Sequence, residues 1–247
     1  MKQMPPHNMN SSTRNTMRRL ALESVVIIAS ILAAFALDTW WDNAQERREE
    51  RETLEALRTE FSEARQTVEQ YRSIQQRILN SLAFVSDSLN RALERGSETV
   101  SLPDTALAWA YMPPTTSVSL GTLQGLVGSG RLGILRDREL RSALGSWGYE
   151  LAELAEEEAE SRAIAYGDLD RTLRARMNTF GLWATADSLL KGTLSPEARA
   201  AVRTVPVDTE VLGVIHLRQN LSLHTLDEFL PLLEALDSIV RLIHESL

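Results

Sequence analysis

The sequence predicts an all-α protein in which one N-terminal transmembrane helix continues into an antiparallel bundle of long helices. Three observations lead to this prediction. An apolar stretch near the N-terminus, from Ser24 to Leu37, contains no charged residue, proline or glycine. A long heptad pattern of apolar residues follows it, and nothing resembles alternating strands joined by tight turns. The chain has 247 residues, 43% of them hydrophobic and 24% charged, which suits one globular domain or two small ones.

Charge is distributed unevenly along the chain. Residues 1–19 form a basic tail that contains Lys2, Arg14, Arg18 and Arg19 and no acidic residue, whereas the whole chain has a net charge of -8. The part that follows the tail is therefore strongly acidic. An acidic domain repels a phosphate backbone, so we expect no nucleic-acid partner.

The chain contains no cysteine. This excludes disulfides, thiolate zinc sites, iron–sulfur clusters and cysteine nucleophiles. It does not identify the compartment, because a chain without thiols is compatible with either redox environment.

Residues 20–41 are the predicted transmembrane helix. At about 1.5 Å per residue this segment crosses the hydrocarbon layer, which is roughly 30 Å thick. Arg18 and Arg19 precede it and Trp40 and Trp41 end it, as is typical of membrane interfaces. The positive end is expected in the cytoplasm, which places the C-terminal domain on the other side of the membrane.

A cleaved signal peptide is the alternative interpretation of the same stretch. A basic start, an apolar run and the small-residue triplet Ala34-Phe35-Ala36 satisfy the usual pattern. Small side chains within the span go beyond a simple anchor, because a face of small residues is typical of helices that pack in a membrane. Ala29 with Ala33, and Ser30 with Ala34, are spaced four apart and allow a second transmembrane helix to approach closely.

Glu23 lies about one turn inside the basic edge of the span. A carboxylate is costly there unless it pairs, reaches the interface or is protonated. Pairing with Arg19, four residues earlier, is the simpler interpretation. Contact with another membrane subunit is the functional one.

The soluble part begins with a charged juxtamembrane stalk at residues 42–53, and residues 54–247 form the predicted bundle domain. No glycine or proline follows the span until Gly96, so one helix is expected to continue to about Arg95. Its heptad stripe is interrupted only at Gln75. The members of the stripe are Leu54, Leu57, Phe61, Ala64, Val68, Tyr71, Ile78, Leu82, Val85 and Leu89.

Later helices are predicted from residues that can cap or start them. Asp104, Ser119 and Asp137 can each cap a helix. Ser195-Pro196-Glu197 marks the start of a short helix, and the last long helix is predicted from Asp208 onward. The long helix after Asp137 is expected to run towards Asn178, and the last helix to kink or split near Pro231. Gly96–Pro103 is predicted to be a connector, and Gly128-Ser129-Gly130-Arg131 a turn that ends a helix.

Two blocks resemble a bacterial family of uncharacterised single-span membrane proteins. The first is ALESVVIIASILAAFALDTWWDNAQERREERETLEAL, an apolar helix that begins near Glu23 and ends in tryptophan before a charged helix. The second is SLGTLQGLVGSGRLGILRDRELRSALGSW, a Ser-Gly turn followed by a new helix. The resemblance implies an anchored helical domain and no activity. With the orientation above, it implies a bacterial cytoplasmic membrane and a periplasmic domain.

Candidate chemical sites are weak. His224 and Glu228 are four apart on one predicted helix, and His216 lies eight before His224, but two ligands do not make a metal site. The run containing Glu153, Glu156, Glu157 and Glu160 is best interpreted as a solvated helix face. No metal site, cofactor or catalytic set is predicted.

Several aromatic residues could line a groove for a ligand, although core packing is the preferred interpretation. They are Trp109, Tyr111, Trp147, Tyr149 and Trp183.

The predicted function is a non-enzymatic, membrane-anchored interaction protein. It would act as an accessory or scaffold subunit that stabilises a larger membrane complex. Its expected partners are membrane lipid and other membrane-protein subunits or a second copy of itself. The alternative is an extracytoplasmic sensor or ligand-binding module that acts through a partner.

Overall fold

The computed structural model describes residues 10–113 and 115–247, and the side chains of residues 10–16, 18, 19 and 21 are not described. The predicted all-α fold is confirmed. The helices are α1 (Asn10–Glu94), α2 (Asp104–Tyr111), α3 (Gly121–Gly128), α4 (Arg138–Ile164), α5 (Asp170–Arg174), α6 (Leu182–Lys191), α7 (Pro196–Ala200) and α8 (Thr209–Ser246). Lys2, Pro114 and most of the basic tail lie outside the described residues or side chains.

Contacts divide the described chain into two units, one that ends at Glu52 and one formed by Thr53–Leu247. The long helix α1 contributes residues to both. In the first unit, every described side chain from Leu22 to Trp41 is exposed. This is the one stretch in the described part of the chain that is long and apolar enough to cross a membrane.

The second unit is a helical bundle with two apolar clusters. The first cluster joins α1, α3, α4 and α8, and includes Leu57, Phe61, Val68, Leu140, Trp147, Leu154, Phe229 and Leu236. The second joins α1, α2, α5, α6 and α8, and includes Ile78, Leu82, Leu89, Tyr111, Leu169, Leu182 and Ile215. The heptad stripe of α1 serves both clusters, which explains why it continues for so many turns.

The structure also contains a small antiparallel sheet that the sequence analysis did not predict. Strand β1 (Thr99–Pro103) pairs with β2 (Val202–Pro206), and Val100 lies opposite Val205. Each strand has a single fully buried residue, Leu102 in β1 and Val205 in β2. The alternation of buried and exposed side chains is therefore too weak to predict a strand. Strand β1 occupies part of the predicted connector.

The predicted cap at Asp137 is confirmed, and two predicted helix starts, Ser195 and Asp208, also act as caps. Asp137, Ser195 and Asp208 each accept a backbone N–H from the first turn of the helix that follows. The predictions for Asp104 and Ser119 are wrong. Asp104 is the first residue of α2 and bonds Arg203, and α3 begins after Leu120 without a side-chain cap of its own.

A residue from another helix takes the place of the missing cap on α3. Glu60 in α1 accepts from the backbone N–H and the hydroxyl of Thr122, both over 2.7 Å. This contact satisfies one free amide at the helix start and ties α3 to α1. Such a partner is distant in sequence and cannot be found from local pattern.

Two long helices differ from the prediction, one in where it ends and one in being continuous. Helix α4 ends at Ile164 and passes through a π-helical turn, Ala165–Leu169, into α5, so it stops short of Asn178. Helix α8 continues through Pro231 and is not split. The turn after α3 ends that helix as predicted, with Gly130 at a φ of 68°.

Candidate functional site

The exposed apolar segment of α1 is the first candidate site. Glu23, Ala29, Ser30, Ala33 and Ala34 are all exposed, and the Ser30 hydroxyl donates to the Val26 carbonyl oxygen within the same helix over 2.8 Å. Ser30 is therefore satisfied inside its own helix and presents a nearly apolar surface. The pairing of Glu23 with Arg19 stays a prediction, because the Arg19 side chain is not described.

The far end of this segment carries the predicted interface tryptophans. Trp40 is 65% exposed and Trp41 is 66% exposed. Trp41 and Ala34 line an open concavity of about 570 Å³ on the helix surface, together with Phe35 and Asp38. The small side chain of Ala34 leaves this space. The side chains of Arg18 and Arg19, at the other end, lie outside the described set.

A buried polar layer crosses the bundle between its two apolar clusters. On each of α1, α4 and α8 its residues lie between residues of the first cluster and residues of the second or the π-helical turn. Its members are Gln75, Glu158, Ser161, Arg218, Ser222 and Thr225, each at most 2% exposed. The interruption of the heptad stripe at Gln75 is the sequence signal of this layer.

Arg218 is the centre of the polar layer. It is completely buried and donates to the hydroxyls of Ser161 over 2.5 Å and Ser222 over 2.6 Å, and to the carbonyl oxygen of Met112 over 3.0 Å. These acceptors are all uncharged, and the ion pairs of the described residues do not include Arg218. Burial lowers the pKa of Arg218 to about 10. The guanidinium remains charged at neutral pH without a carboxylate partner.

Glu158 is the buried acid of the layer. Both carboxylate oxygens accept from the backbone N–H of Thr116 over 2.9 Å, and Oε1 also accepts from the Thr116 hydroxyl over 2.7 Å. Burial raises the pKa of Glu158, against the opposing effects of Thr116 and the nearby Arg162. The prediction of a solvated face concerned its neighbours, of which Glu153, Glu156 and Glu160 are exposed and Glu157 is half-buried.

An aromatic groove lies beside the turn that joins α5 to α6. It has a volume of about 710 Å³, and we call it the Phe180 groove. Its lining residues are Arg174, Met177, Asn178, Thr179, Phe180, Gly181, Trp183 and Ala184. Phe180 is 88% exposed, more than any other large apolar side chain in the described residues.

Hydrogen bonds hold the turn that carries Phe180. Arg203 in β2 donates to the carbonyl oxygens of Asn178 and Phe180, and the Asn178 side chain accepts the Phe180 N–H over 2.8 Å. Gly181 follows with a φ of 84°, a conformation that favours glycine. Phe180 is therefore exposed on a turn with defined backbone contacts.

The arginine that holds this turn is itself fixed. Arg203 donates to both carboxylate oxygens of Asp104 in α2, over 3.0 Å and 2.7 Å. Both side chains are mostly buried, and hydrogen bonding to Asp104 is the main cause that raises the pKa of Arg203. A bidentate pair of this kind fixes orientation as well as distance. Its effect reaches the Phe180 turn through the same guanidinium.

Aromatic contacts fix Trp183, another residue that lines the groove. Trp183 meets the edge of Tyr111 at a centroid distance of 5.5 Å and lies 5.0 Å from Tyr166, which belongs to the π-helical turn. Tyr111 is completely buried, so the stack extends from the core to the surface. Burial is the main cause that raises the pKa of Tyr111.

The five aromatic residues from the sequence analysis are in three environments. Tyr111 and Trp147 are in the core, as the preferred interpretation predicts, and Trp147 meets the edge of Phe61 at 5.6 Å. Trp109 and Trp183 are half-buried, and Trp183 lines the groove. The prediction of core packing is wrong for Tyr149, which is 68% exposed. Phe180, the most exposed member of the groove, was not predicted.

The histidine and acidic residues that the sequence analysis considered as possible metal ligands lie on α4 and α8. Among the residues that the structure describes, no group of three or more histidine, cysteine or acidic side chains could hold a metal ion. His224 is exposed and Glu228 is half-buried. Burial raises the pKa of Glu228, with further increases from Glu153 and Glu157 on α4. Negative charge on α4 therefore disfavours the ionised form of Glu228 on α8.

Fold and sites together define an all-α protein in which, among the residues that the structure describes, one helix is long and apolar enough to cross a membrane. No family model, curated protein or solved structure matches the chain. The resemblance to uncharacterised single-span bacterial membrane proteins therefore remains a prediction.

Proposed function

We propose that this protein is a membrane-anchored, non-enzymatic interaction protein that acts as an accessory or scaffold subunit of a larger membrane complex. The observation that carries the proposal is the fully exposed apolar surface between Leu22 and Trp41. Exposed apolar area of this extent requires lipid or protein around it. Small side chains within it favour protein contacts in addition to lipid.

The orientation is part of this proposal. Arg18 and Arg19 are expected on the cytoplasmic side of a bacterial inner membrane, and the bundle in the periplasm. The absence of cysteine allows a direct test, because an introduced cysteine is the only thiol in the chain. A membrane-impermeant maleimide applied to spheroplasts should label Ser97→Cys at once. Ser12→Cys should react only after permeabilisation, and the reverse pattern contradicts the orientation.

Subunit contact through the span is tested by crosslinking. Native membranes are extracted gently and the tagged full chain is purified, crosslinked and analysed by mass spectrometry. We expect a defined set of membrane proteins at fixed stoichiometry, with crosslinks to the span or bundle. A lone protein contradicts the accessory-subunit proposal, and a homo-oligomer assigns the contacts to a second copy.

Matched variants locate the contact on the helix. Ala29→Leu with Ala33→Leu enlarges the small-residue face and is expected to release the partner subunits, since close helix approach needs small side chains. Ser24→Leu is the control, because it makes a similar change on the opposite side of the helix from Ala33. Equal loss with the control means that the proposed face does not make the contact.

A second proposal, an extracytoplasmic ligand-binding module that acts through a partner, is favoured by one observation. The Phe180 groove combines aromatic walls with a few polar groups, as is typical of ligand sites. Thermal unfolding of the full chain with and without candidate ligands tests this function as a whole, because a ligand that binds the native state raises the unfolding temperature.

A further inference from the structure

We propose that the Phe180 groove binds a planar aromatic carboxylate. The inference rests on the ligand-binding proposal and is independent of the contacts that the membrane segment makes. It assigns the ring of the ligand to the space between Phe180 and Trp183, and its carboxylate to Arg174.

The size and walls of the groove suit a planar apolar ligand. Its volume of about 710 Å³ lies within the range of small-molecule sites, roughly 300–1,000 Å³. Phe180, Trp183 and Met177 supply two aromatic surfaces and a flexible apolar one. A flat ring gains more from these walls than a branched aliphatic ligand does, because aromatic rings stack or meet edge to face.

The walls are fixed before any ligand arrives. Arg203 holds the Phe180 turn by its backbone carbonyl oxygens, and Tyr111 and Tyr166 pack against Trp183. A site that is ordered in the free protein loses little conformational entropy on binding. Because Phe180 is exposed on an ordered turn, its aromatic ring is available to cover a ligand.

The charged side chain in the groove lining favours an anion. Arg174 is basic, and none of the other residues that line the groove is charged. The ion pair of Arg174 with Asp170 is made through Nε. The terminal nitrogens of a guanidinium are suited to bind a carboxylate in a planar, two-contact geometry.

The test uses the full chain in lipid nanodiscs with 2-naphthoate as the probe. Backbone amide NMR signals of Phe180 and Gly181 should shift in a saturable way. Because an aromatic contact is lost, Phe180→Ser should weaken binding about tenfold. Phe84→Ser is the matched control, since Phe84 is a partly exposed phenylalanine on α1 outside the groove, and it should bind like the parent chain.

A second comparison separates the carboxylate contact from ring contact. Arg174→Gln should weaken 2-naphthoate and leave the weaker binding of 2-naphthalenemethanol unchanged. Equal affinity for cyclohexanecarboxylate, or equal loss in Phe84→Ser, overturns the proposal. Saturable shifts confined to other parts of the bundle also overturn it, although they keep a ligand-binding function. Absence of any shift with 2-naphthoate overturns the assigned ligand class and leaves the accessory-subunit proposal to the crosslinking experiment.

Discussion

The side-chain amide of Gln75 donates a 2.9 Å hydrogen bond to the backbone carbonyl oxygen of Ser222, and both residues are completely buried. This contact joins α1 to α8 inside the polar layer. The Oε1 atom of Gln75 and the Nε atom of Arg218 are also buried, without a hydrogen-bond partner among the described residues. The layer therefore contains polar groups whose desolvation is only partly compensated.

Gln75→Leu is expected to increase the free energy of unfolding by about 1 kcal/mol, because it replaces a partly unsatisfied buried amide by an apolar side chain of similar volume. The exposed neighbour Gln76 supplies the control, and Gln76→Leu should change stability by less than about 0.5 kcal/mol. Chemical unfolding followed by circular dichroism measures both. Destabilisation of Gln75→Leu beyond about 1 kcal/mol would mean that the hydrogen bond to Ser222 outweighs the desolvation of the amide.

Arg218→Met tests the cost of the buried cation. Methionine removes an unpaired charge from the core, and we expect the free energy of unfolding to rise, in the direction seen when buried ion pairs are replaced by apolar side chains with a gain of about 1–4 kcal/mol. Arg241→Met on the exposed face of α8 should have little effect. A marked loss of stability in Arg218→Met alone contradicts the expectation and assigns a net stabilising role to the three hydrogen bonds.

Glu158 should make stability depend on pH. Its pKa is raised in the folded protein, so the folded state holds the proton more tightly than the unfolded state does. The stability from this group is fully present below the unfolded-state pKa and is lost as pH rises through the folded-state pKa. As pH rises above the ordinary glutamate pKa of about 4.3, the unfolding temperature of the parent chain should therefore fall relative to that of Glu158→Gln.

An exposed carboxyl on the same helix provides the control for this pH series. Glu156→Gln should leave the difference from the parent chain nearly constant with pH. A constant difference for Glu158→Gln as well would show that its carboxyl titrates alike in the folded and unfolded chains.

Gly148→Ala is expected to stabilise the bundle by about 0.5–1 kcal/mol. Gly148 lies inside α4, and a Cβ added there meets nothing within 4 Å, so only the backbone entropy changes. Gly130→Ala should destabilise instead, because Gly130 has a φ of 68° that a Cβ disfavours. Thermal unfolding of both variants measures the contrast. Equal effects of the two substitutions would contradict the assigned conformations.

Some parts of the fold follow from local sequence. Asp137 and Asp208 cap the helices that follow because a carboxylate one residue before a helix reaches the amides of its own first turn. The apolar stripe of α1 likewise predicts which side chains are buried, including Leu57 and Leu82, because the period of a helix places them on one face. These signals involve residues within a few positions of one another.

Other parts depend on partners far along the chain. Asp104 bonds Arg203 and does not cap α2, and the start of α3 is satisfied by Glu60 from α1. Strands β1 and β2 exist because they pair across about a hundred residues. Their local pattern is too weak to predict either of them alone.

The sequence by itself determined the helical class, the apolar segment of residues 20–41 and most of the buried face of α1, because periodicity and hydrophobicity are local properties. Tertiary structure decided what lies at the interruption of that face. Gln75 bonds Ser222, which also bonds Arg218, and this polar layer forms only after α1, α4 and α8 have packed. The exposure of Phe180 is likewise set by Arg203, whose position depends on the pairing of the two strands.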